Sequence, residues 1–294
     1  MKSSFWGIVI RAMRVHQWVK NTLLFVPLIL SHNLFNTEMF IETLTAFFAF
    51  SLCASAIYII NDLVDIESDK QHPIKCKRPF AAGQLSQLTG MVLAAILCVS
   101  SLSIAYFISW SFVYILLAYL TITSAYSFFI KRITLLDVLL LAGLYTFRLI
   151  AGSVAATIPI SFWLLMFSLF IFLSLALVKR YSELFNTDDT IEGKIKGRGY
   201  HKSDMPLLLI IGVVSGYMSI LILGLYINDV AIITHYTTPD WLWLVVISIL
   251  FWVSQIWLTT YRGDMHEDPV LYAIKDRDSL LVMAVCGLAV VMAL

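Results

Sequence analysis

The chain has 294 residues, of which 60% are hydrophobic and only 13% are charged, with a mean hydropathy of +0.86 and a formal net charge of +1. Soluble domains usually carry about 25% charged residues, so this composition excludes a water-soluble globule, a disordered chain and a disulfide-rich scaffold. The four cysteines form no CxxC pair and are predicted to be packing residues. The composition predicts a chain whose outer surface lies in lipid.

Long apolar stretches recur from one end of the sequence to the other, with no polar block large enough to fold alone. A helix needs roughly 20 mostly apolar residues to cross a bilayer. We therefore predict an all-α, polytopic bundle of about nine transmembrane helices. It forms a single transmembrane domain over residues 1–294, with 1–16 as an interfacial segment on the cytoplasmic side. The predicted spans are 18–35, 39–61, 87–108, 110–129, 135–154, 160–180, 205–228, 240–261 and 279–294.

The basic residues fall almost entirely on one predicted side of the membrane. With nine spans, 19 of the 20 Lys and Arg residues lie in the N-terminal segment or near loops that follow even-numbered spans, the exception being Arg148. The positive-inside rule predicts that the N-terminus and these loops lie in the cytoplasm. Fifteen of the 19 acidic residues share that side, although the rule does not require it. This excess indicates a charged site at the cytoplasmic mouth of the bundle.

The first charged cluster lies at the end of the second predicted span. Asp62, Asp65 and Asp69 are spaced i, i+3 and i+7, which places all three on one helix face. Carboxylates this close repel one another, and Mg²⁺, which takes one or two carboxylates together with phosphate oxygens and waters, would neutralise them. Asn61 adds an amide oxygen, and a basic group follows: Lys75, Lys77 and Arg78. The pattern favours a metal and phosphate site over the alternative, a solvated helix end.

Two further charged clusters lie in loops that follow even-numbered spans. One runs from Lys179 to Glu183, whose i, i+4 spacing predicts an ion pair. The other contains Asp268 and Arg277. Each segment alone is also explained as an ordinary charged helix end or loop. Their common side of the membrane predicts that all three clusters surround one cytoplasmic cavity.

Arg148 stands apart because it lies inside the fifth predicted span, where a charge is costly and usually faces a cavity or a partner. Asp137 lies eleven residues earlier, about three helical turns, on a similar helix face. Two interpretations stay open: a structural role through snorkelling or pairing, or a hold on a phosphate group deep in the cavity.

The pattern Asn-Asp-x-x-Asp-x-x-x-Asp at residues 61–69 resembles the signature of the intramembrane prenyltransferase (UbiA) superfamily. That resemblance implies a nine-helix bundle with a Mg²⁺–diphosphate site between acidic motifs after the second and sixth spans. Finer features resemble its decaprenyl-phosphate phosphoribosyltransferase branch, namely Arg-Val-His-Gln-Trp-Val-Lys-Asn at 14–21 and Lys-Arg-Tyr-x-Glu at 179–183. The Asp-x-x-x-Asp motif usual for aromatic prenyltransferases is missing at the end of the sixth span, which counts against a quinone or haem prenyltransferase.

The resemblance implies a donor, 5-phosphoribosyl diphosphate, and an acceptor, a polyprenyl phosphate whose tail lies in the lipid bilayer. It implies Mg²⁺ as the cofactor, and we expect no nucleic-acid partner. The chain length of the polyprenyl group, the downstream glycan and the oligomeric state stay open. The implied catalytic and metal-binding residues are Asp62, Asp65, Asp69 and Glu183. The implied substrate-binding residues are Lys20, Asn61, Lys75, Lys77, Arg78, Arg148, Lys179, Arg180, Tyr181, Asp268 and Arg277.

Two alternatives belong beside this hypothesis. A prenyltransferase of the same fold would move an isoprenyl group from its diphosphate to an aromatic acceptor, and would need a long apolar donor groove but no second phosphate pocket. A transporter or lipid-binding membrane protein would often show internal repeats and charges at mid-membrane. The charges here cluster at one interface instead, with Arg148 as the possible exception.

Overall fold

A computed structural model describes residues 4–71, 75–187, 198–229, 236–265 and 268–294. Throughout these ranges the regular structure is helical, without a β-strand. The chain divides into two compact units, Met1–Phe128 with Phe147–Ile160, and Phe129–Thr146 with Ser161–Leu294. The single domain over 1–294 stays a prediction.

The first unit is built around one long helix, α3 (Thr37–Val64). Small residues on α3, including Ala46, Ala49 and Cys53, are fully buried, and small side chains let helix backbones approach closely. The hydroxyl of Ser101 on α5 (Gln87–Ile108) donates a hydrogen bond of 2.7 Å to the carbonyl oxygen of Ala49. The α-helices of this unit are α1 (Phe5–Ala12), α2 (Val26–Leu30), α3 (Thr37–Val64), α4 (Ile66–Lys70), α5 (Gln87–Ile108) and α6 (Trp110–Phe128), with 3₁₀ helices at Val15–Phe25 and Lys75–Lys77.

The second unit packs its helices around a buried tryptophan. The indole nitrogen of Trp257 donates to the hydroxyl of Ser174 (2.9 Å), which donates to the carbonyl of Gly212 (2.7 Å). The Trp257 ring fills the space where a side chain at Gly212 would stand. The next helix, α7 (Leu136–Ala155), begins in this unit and ends in the first. The unit also contains α8 (Phe162–Phe185), α9 (Met205–Ile227), α10 (Leu242–Tyr261), α11 (Pro269–Lys275) and α12 (Arg277–Ala293).

Seven helical segments of the described chain are long and apolar enough to cross a membrane. The predicted count of about nine is not confirmed. The first predicted span, 18–35, is a 3₁₀ helix followed by the five-residue α2, with Pro27 near the start of α2, and proline has no amide hydrogen to donate inside a helix. The last predicted span is α12, which has only 17 residues. The all-α, multi-pass membrane class is confirmed.

Candidate functional site

The acidic motif of the first unit is held by two arginines. Asp62, near the end of α3, and Asp69, in α4, are each only 2% exposed. Nη1 of Arg78 donates to Oδ1 of Asp62 (3.2 Å) and to Oδ2 of Asp69 (2.6 Å). Nη2 of Arg14 donates to the same Oδ1 of Asp62 at 2.5 Å. The four side chains form one network, which we call the acidic-motif network, with two negative and two positive charges.

The backbone breaks at Asp65, so the predicted continuous helix face over 62–69 is wrong. Asp65 is both the last cap of α3 and the first cap of α4, and its side chain is partly exposed. Asp62 and Asp69 nevertheless meet, because both accept from Arg78. The side-chain amide of Asn61 donates to the hydroxyl of Ser127 at 2.9 Å.

The donor set of the acidic-motif network fits a Mg²⁺ ion that is shared with a phosphate ligand. Among the described residues, no group of three or more His, Cys, Asp or Glu side chains is placed to hold a metal ion by itself. Mg²⁺, however, is usually held by one or two carboxylates, with substrate phosphates and water completing its octahedral shell. Asp62 and Asp69 supply those two carboxylates.

Arg14 was absent from the predicted site residues, although it opens the segment that carried the family resemblance. Its backbone lies in the left-handed region at φ 52°, a conformation that costs a non-glycine residue about 1 kcal/mol. Neighbouring bonds hold the turn: the hydroxyl of Ser55 donates to the carbonyl of Met13 (2.8 Å) and accepts from the indole of Trp18 (3.0 Å). The Arg14 guanidinium also lies 5.0 Å from the centre of the Tyr58 ring.

A second set of buried cations lies in the same unit. Arg148 is 5% exposed and Lys20 is 8% exposed. Nε of Arg148 donates to the amide oxygen of Asn21 (2.9 Å), and its Nη2 donates to the hydroxyl of Tyr119 (3.2 Å). The guanidinium also lies 5.5 Å from the ring centres of Phe50 and Tyr119. We call Lys20 and Arg148 the deep cation pair, a name that refers to their burial in the same unit and not to a contact between them.

The 3₁₀ helix Val15–Phe25 carries Lys20, and Arg14 caps the start of that helix. One short segment therefore contributes a residue to each of the two sets. Burial, and then the charges of Arg14 and Lys20, lower the pKa of His16. At neutral pH the His16 imidazole is therefore uncharged and adds no third cation to this segment.

The second unit contains a separate buried ion cluster. Nη2 of Arg180 lies 2.8 Å from Oδ2 of Asp137, and both side chains are fully buried. Asp137 also accepts from the hydroxyl of Tyr200 (2.5 Å) and from Nη1 of Arg198 (3.2 Å). Burial and the hydrogen bond to Asp137 raise the pKa of Tyr200. Arg180 pairs in addition with Glu183.

This cluster corrects two expectations. The Lys179–Glu183 ion pair is wrong, because Nζ of Lys179 donates instead to Oδ2 of Asp268 at 3.2 Å and Glu183 pairs with Arg180. Asp137 takes Arg180 and Arg198 as its counter-ions, so the alternative in which it pairs with Arg148 is also wrong.

The other predicted site residues lie in three kinds of surroundings. Tyr181 is buried and packs edge-on against Trp257, with ring centres 6.4 Å apart. Asp268 caps α11, since its Oδ1 accepts from the backbone amide of Val270 at 3.1 Å. The exposed members are Lys75, Lys77 and Arg277. A cavity shared by the three charged clusters stays a prediction.

Comparison with known proteins places this arrangement in a family. Residues 21–292 match the UbiA prenyltransferase family, and the chain belongs to that family. It is therefore a multi-pass membrane protein of a transferase superfamily. The superfamily predicted from residues 61–69 is confirmed.

Curated relatives narrow the resemblance. The chain is 38% identical over 283 residues to y4nM of Sinorhizobium fredii, an uncharacterised protein, covering 96% of this chain but only 55% of that protein. It is 33% identical over 282 residues to the nodulation protein NoeC of Azorhizobium caulinodans, covering 95% and 90% of the two chains. It is 31% identical over 280 residues to the decaprenyl-phosphate phosphoribosyltransferase of Mycolicibacterium smegmatis, covering 92% and 86%.

The fold is shared with solved members of the family. A UbiA homolog from Archaeoglobus fulgidus, solved bound to GPP and Mg²⁺, superposes with a TM-score of 0.66 at 13% identity, covering 98% of this chain and all of the other. At this level of sequence identity, the superposition shows that the two proteins share a fold and shows nothing about their substrates.

Proposed function

We propose that this chain is a Mg²⁺-dependent membrane phosphoribosyltransferase. It moves 5-phosphoribose from 5-phosphoribosyl diphosphate to a polyprenyl phosphate and releases diphosphate. The observation that carries the proposal is the buried pair Asp62 and Asp69, bridged by Arg78, in the same unit as the deep cation pair. Relatives that are decaprenyl-phosphate phosphoribosyltransferases, 31–37% identical to this chain, support the same assignment.

Two charged sets suit a donor that is anionic at both ends. The diphosphate end matches the acidic-motif network, where the two carboxylates would bind the metal and the neighbouring guanidinium groups would neutralise phosphate oxygens. The 5-phosphate end matches the deep cation pair, because a guanidinium binds phosphate with several fixed donors. An isoprenyl diphosphate has only one anionic end and would leave the second set unused.

The chain's own residues position the reaction. Asp62, Asp65 and Asp69 orient the diphosphate, and bound Mg²⁺ would supply charge that stabilises it as it leaves. The bond between ribose C1 and the diphosphate oxygen breaks, and its electron pair departs with the diphosphate. An oxygen of the acceptor phosphate forms the new bond to C1 from the opposite face, which inverts the anomeric centre. This phosphate is already an anion near neutral pH, so no general base is required.

The remaining members of the proposed binding set contact the donor or the acceptor headgroup. The site opens to the cytoplasm of a bacterial cytoplasmic membrane, where a water-soluble donor meets a lipid whose tail stays in the bilayer. Those members are Asn61, Lys75 and Lys77 of the first unit; Arg180 is instead fully buried against Asp137, and Tyr181 packs against Trp257.

The test is a product assay on the purified full chain. It is supplied with ribose-labelled 5-phosphoribosyl diphosphate, a polyprenyl phosphate and Mg²⁺, and the lipid phase is analysed for label. We expect labelled lipid that depends on the metal, and we expect Asp69→Asn to abolish it. Glu67→Gln is the matched control, because Glu67 lies on the same short helix but is exposed and pairs with Lys70.

Two outcomes would contradict the assignment. One is an unlabelled lipid phase together with full activity on an isoprenyl diphosphate and an aromatic acid, which would make the chain a prenyltransferase. The other is lipid movement across vesicles without any covalent product, which would favour a transporter.

A further inference from the structure

The acidic-motif network is already neutral before any metal enters. Asp62 and Asp69 carry two negative charges and are almost fully buried, while Arg14 and Arg78 carry two positive charges against them. Oδ1 of Asp62 accepts from both arginines, at 2.5 and 3.2 Å. One oxygen of each carboxylate, Oδ1 of Asp62 and Oδ2 of Asp69, is therefore engaged by guanidinium donors.

Binding of a bare divalent cation to this network is electrostatically unfavourable. It would add two positive charges beside two arginines. It would also compete for carboxylates that are the charged partners of Arg14 and Arg78 among the described residues. Repulsion at a few ångströms is strong where water is scarce. A cation that arrives with a diphosphate brings its own negative charge, and the guanidinium that leaves a carboxylate gains a phosphate oxygen of equal hydrogen-bonding quality.

Arg14 is better placed than Arg78 to make this exchange. Arg78 bonds to two carboxylates and so ties α3 to α4, whereas Arg14 bonds to one. The side chains of both arginines are partly exposed, 23% for Arg14 and 27% for Arg78, so the number of carboxylates that each one binds separates them and solvent access does not. Arg14 lies in a left-handed turn between α1 and the 3₁₀ helix. Its side chain therefore contacts Asp62 from a segment other than α3 and α4.

We propose that Arg14 is a counter-ion that closes the acidic motif against a bare divalent cation, so that the metal and the diphosphate bind as a coupled pair. Arg14 holds Asp62 in the free protein and transfers to the diphosphate when both ligands are present. This positioning role rests on the proposed function, in that the metal–diphosphate site must lie at Asp62 and Asp69. It applies equally to any diphosphate donor.

The experiment measures metal binding by the full chain in detergent, without turnover. Mn²⁺, which suits the same oxygen ligands as Mg²⁺, is titrated by electron paramagnetic resonance with and without inorganic diphosphate. For the wild-type chain we expect weak binding of Mn²⁺ alone and binding roughly tenfold to a hundredfold tighter with diphosphate, within the usual range of coupling between ligands. In Arg14→Gln we expect Mn²⁺ alone to bind about tenfold tighter, and the gain from diphosphate to shrink.

Two variants make the result specific. Lys70→Gln removes the same charge close by, but Lys70 pairs with Glu67 rather than with the motif carboxylates, so Mn²⁺ binding should stay as in the wild type. Arg14→Lys keeps the charge and should keep bare Mn²⁺ binding weak. A monodisperse elution profile and an unchanged melting temperature establish that each variant is folded.

The possible failures are distinguishable. If the wild-type chain binds Mn²⁺ equally well with and without diphosphate, the coupling is overturned whether or not Arg14→Gln folds, while the product assay can still succeed. If Arg14→Gln and Lys70→Gln tighten Mn²⁺ alike, only net charge matters and Arg14 has no special role. If Mn²⁺ does not bind even with diphosphate, the metal site itself is refuted, and the proposed function with it.

Discussion

The buried cluster around Asp137 allows a quantitative test of what holds the second unit together. Asp137 and Arg180 are both fully buried, and Asp137 also accepts from Arg198 and Tyr200. Replacing Asp137 with Asn keeps the shape but removes the charge, so Glu183 is the counter-ion that Arg180 retains among the described residues. Nε of Arg180 is already buried without a hydrogen-bond partner in that part of the chain. The substitution therefore leaves the buried guanidinium still less well compensated.

Removing one partner of a buried ion pair typically costs about 3–5 kcal/mol, because the other charge stays buried. With Glu183 still present we expect Asp137→Asn to cost about 3 kcal/mol, a drop of roughly 5–10 °C in the melting temperature of the detergent-solubilised chain. Asp240→Asn, at an exposed position, is the control and should leave the melting temperature unchanged. A drop of less than about 2 °C in Asp137→Asn would refute the view that this carboxylate neutralises Arg180.

Two further substitutions test the first unit. Gly152→Ala places a methyl group against the carbonyl of Leu24 and should lower the free energy of unfolding by about 1–3 kcal/mol. Gly143→Ala, on the same helix, meets open space and should be neutral or slightly stabilising. Equal melting temperatures for the two variants would argue against close packing at Leu24. Tyr119→Phe removes the hydroxyl that accepts from Arg148 and should raise the KM for the phosphoribosyl donor, at a stability cost of about 1–3 kcal/mol. Tyr114 is exposed on the same helix, so Tyr114→Phe should change neither the KM nor the stability. An unchanged KM in Tyr119→Phe would show that Arg148 does not take part in donor binding.

Much of the fold could be predicted from the sequence because lipid imposes a simple rule. A segment in lipid must satisfy its own backbone hydrogen bonds, so apolar length translates into helices. The rule failed at the first predicted span, where Pro27 and a 3₁₀ helix replace a regular transmembrane helix. Hydropathy counts apolar residues over a window, but it does not register that Lys20 and Asn21 are themselves buried there.

The sequence indicates which charged residues cluster near the site, but it indicates only in part which of them pair with one another. Spacing along a helix identifies which residues are able to pair, as with Lys179 and Glu183, but it does not reveal competing partners from other segments. In the structure Lys179 forms an ion pair with Asp268, and Glu183 forms one with Arg180. The sequence related Asp137 to Arg148 through their helical spacing. Its counter-ions in the structure are Arg180 and Arg198, which follow it by more than 40 residues.

Arg14 shows most clearly why pattern recognition found the acids and missed the cation that holds one of them. Carboxylates at i, i+3 and i+7 form a pattern visible along the chain, whereas Arg14 reaches Asp62 across 48 residues through a left-handed turn. No helical or strand periodicity links such positions, because the link depends on one unusual backbone angle. Buried carboxylates nevertheless require neutralisation. A cluster of buried acids in a sequence is therefore a reason to search every basic residue on the same side of the membrane, including those in the N-terminal segment, for the counter-ions that hold it when no metal is bound.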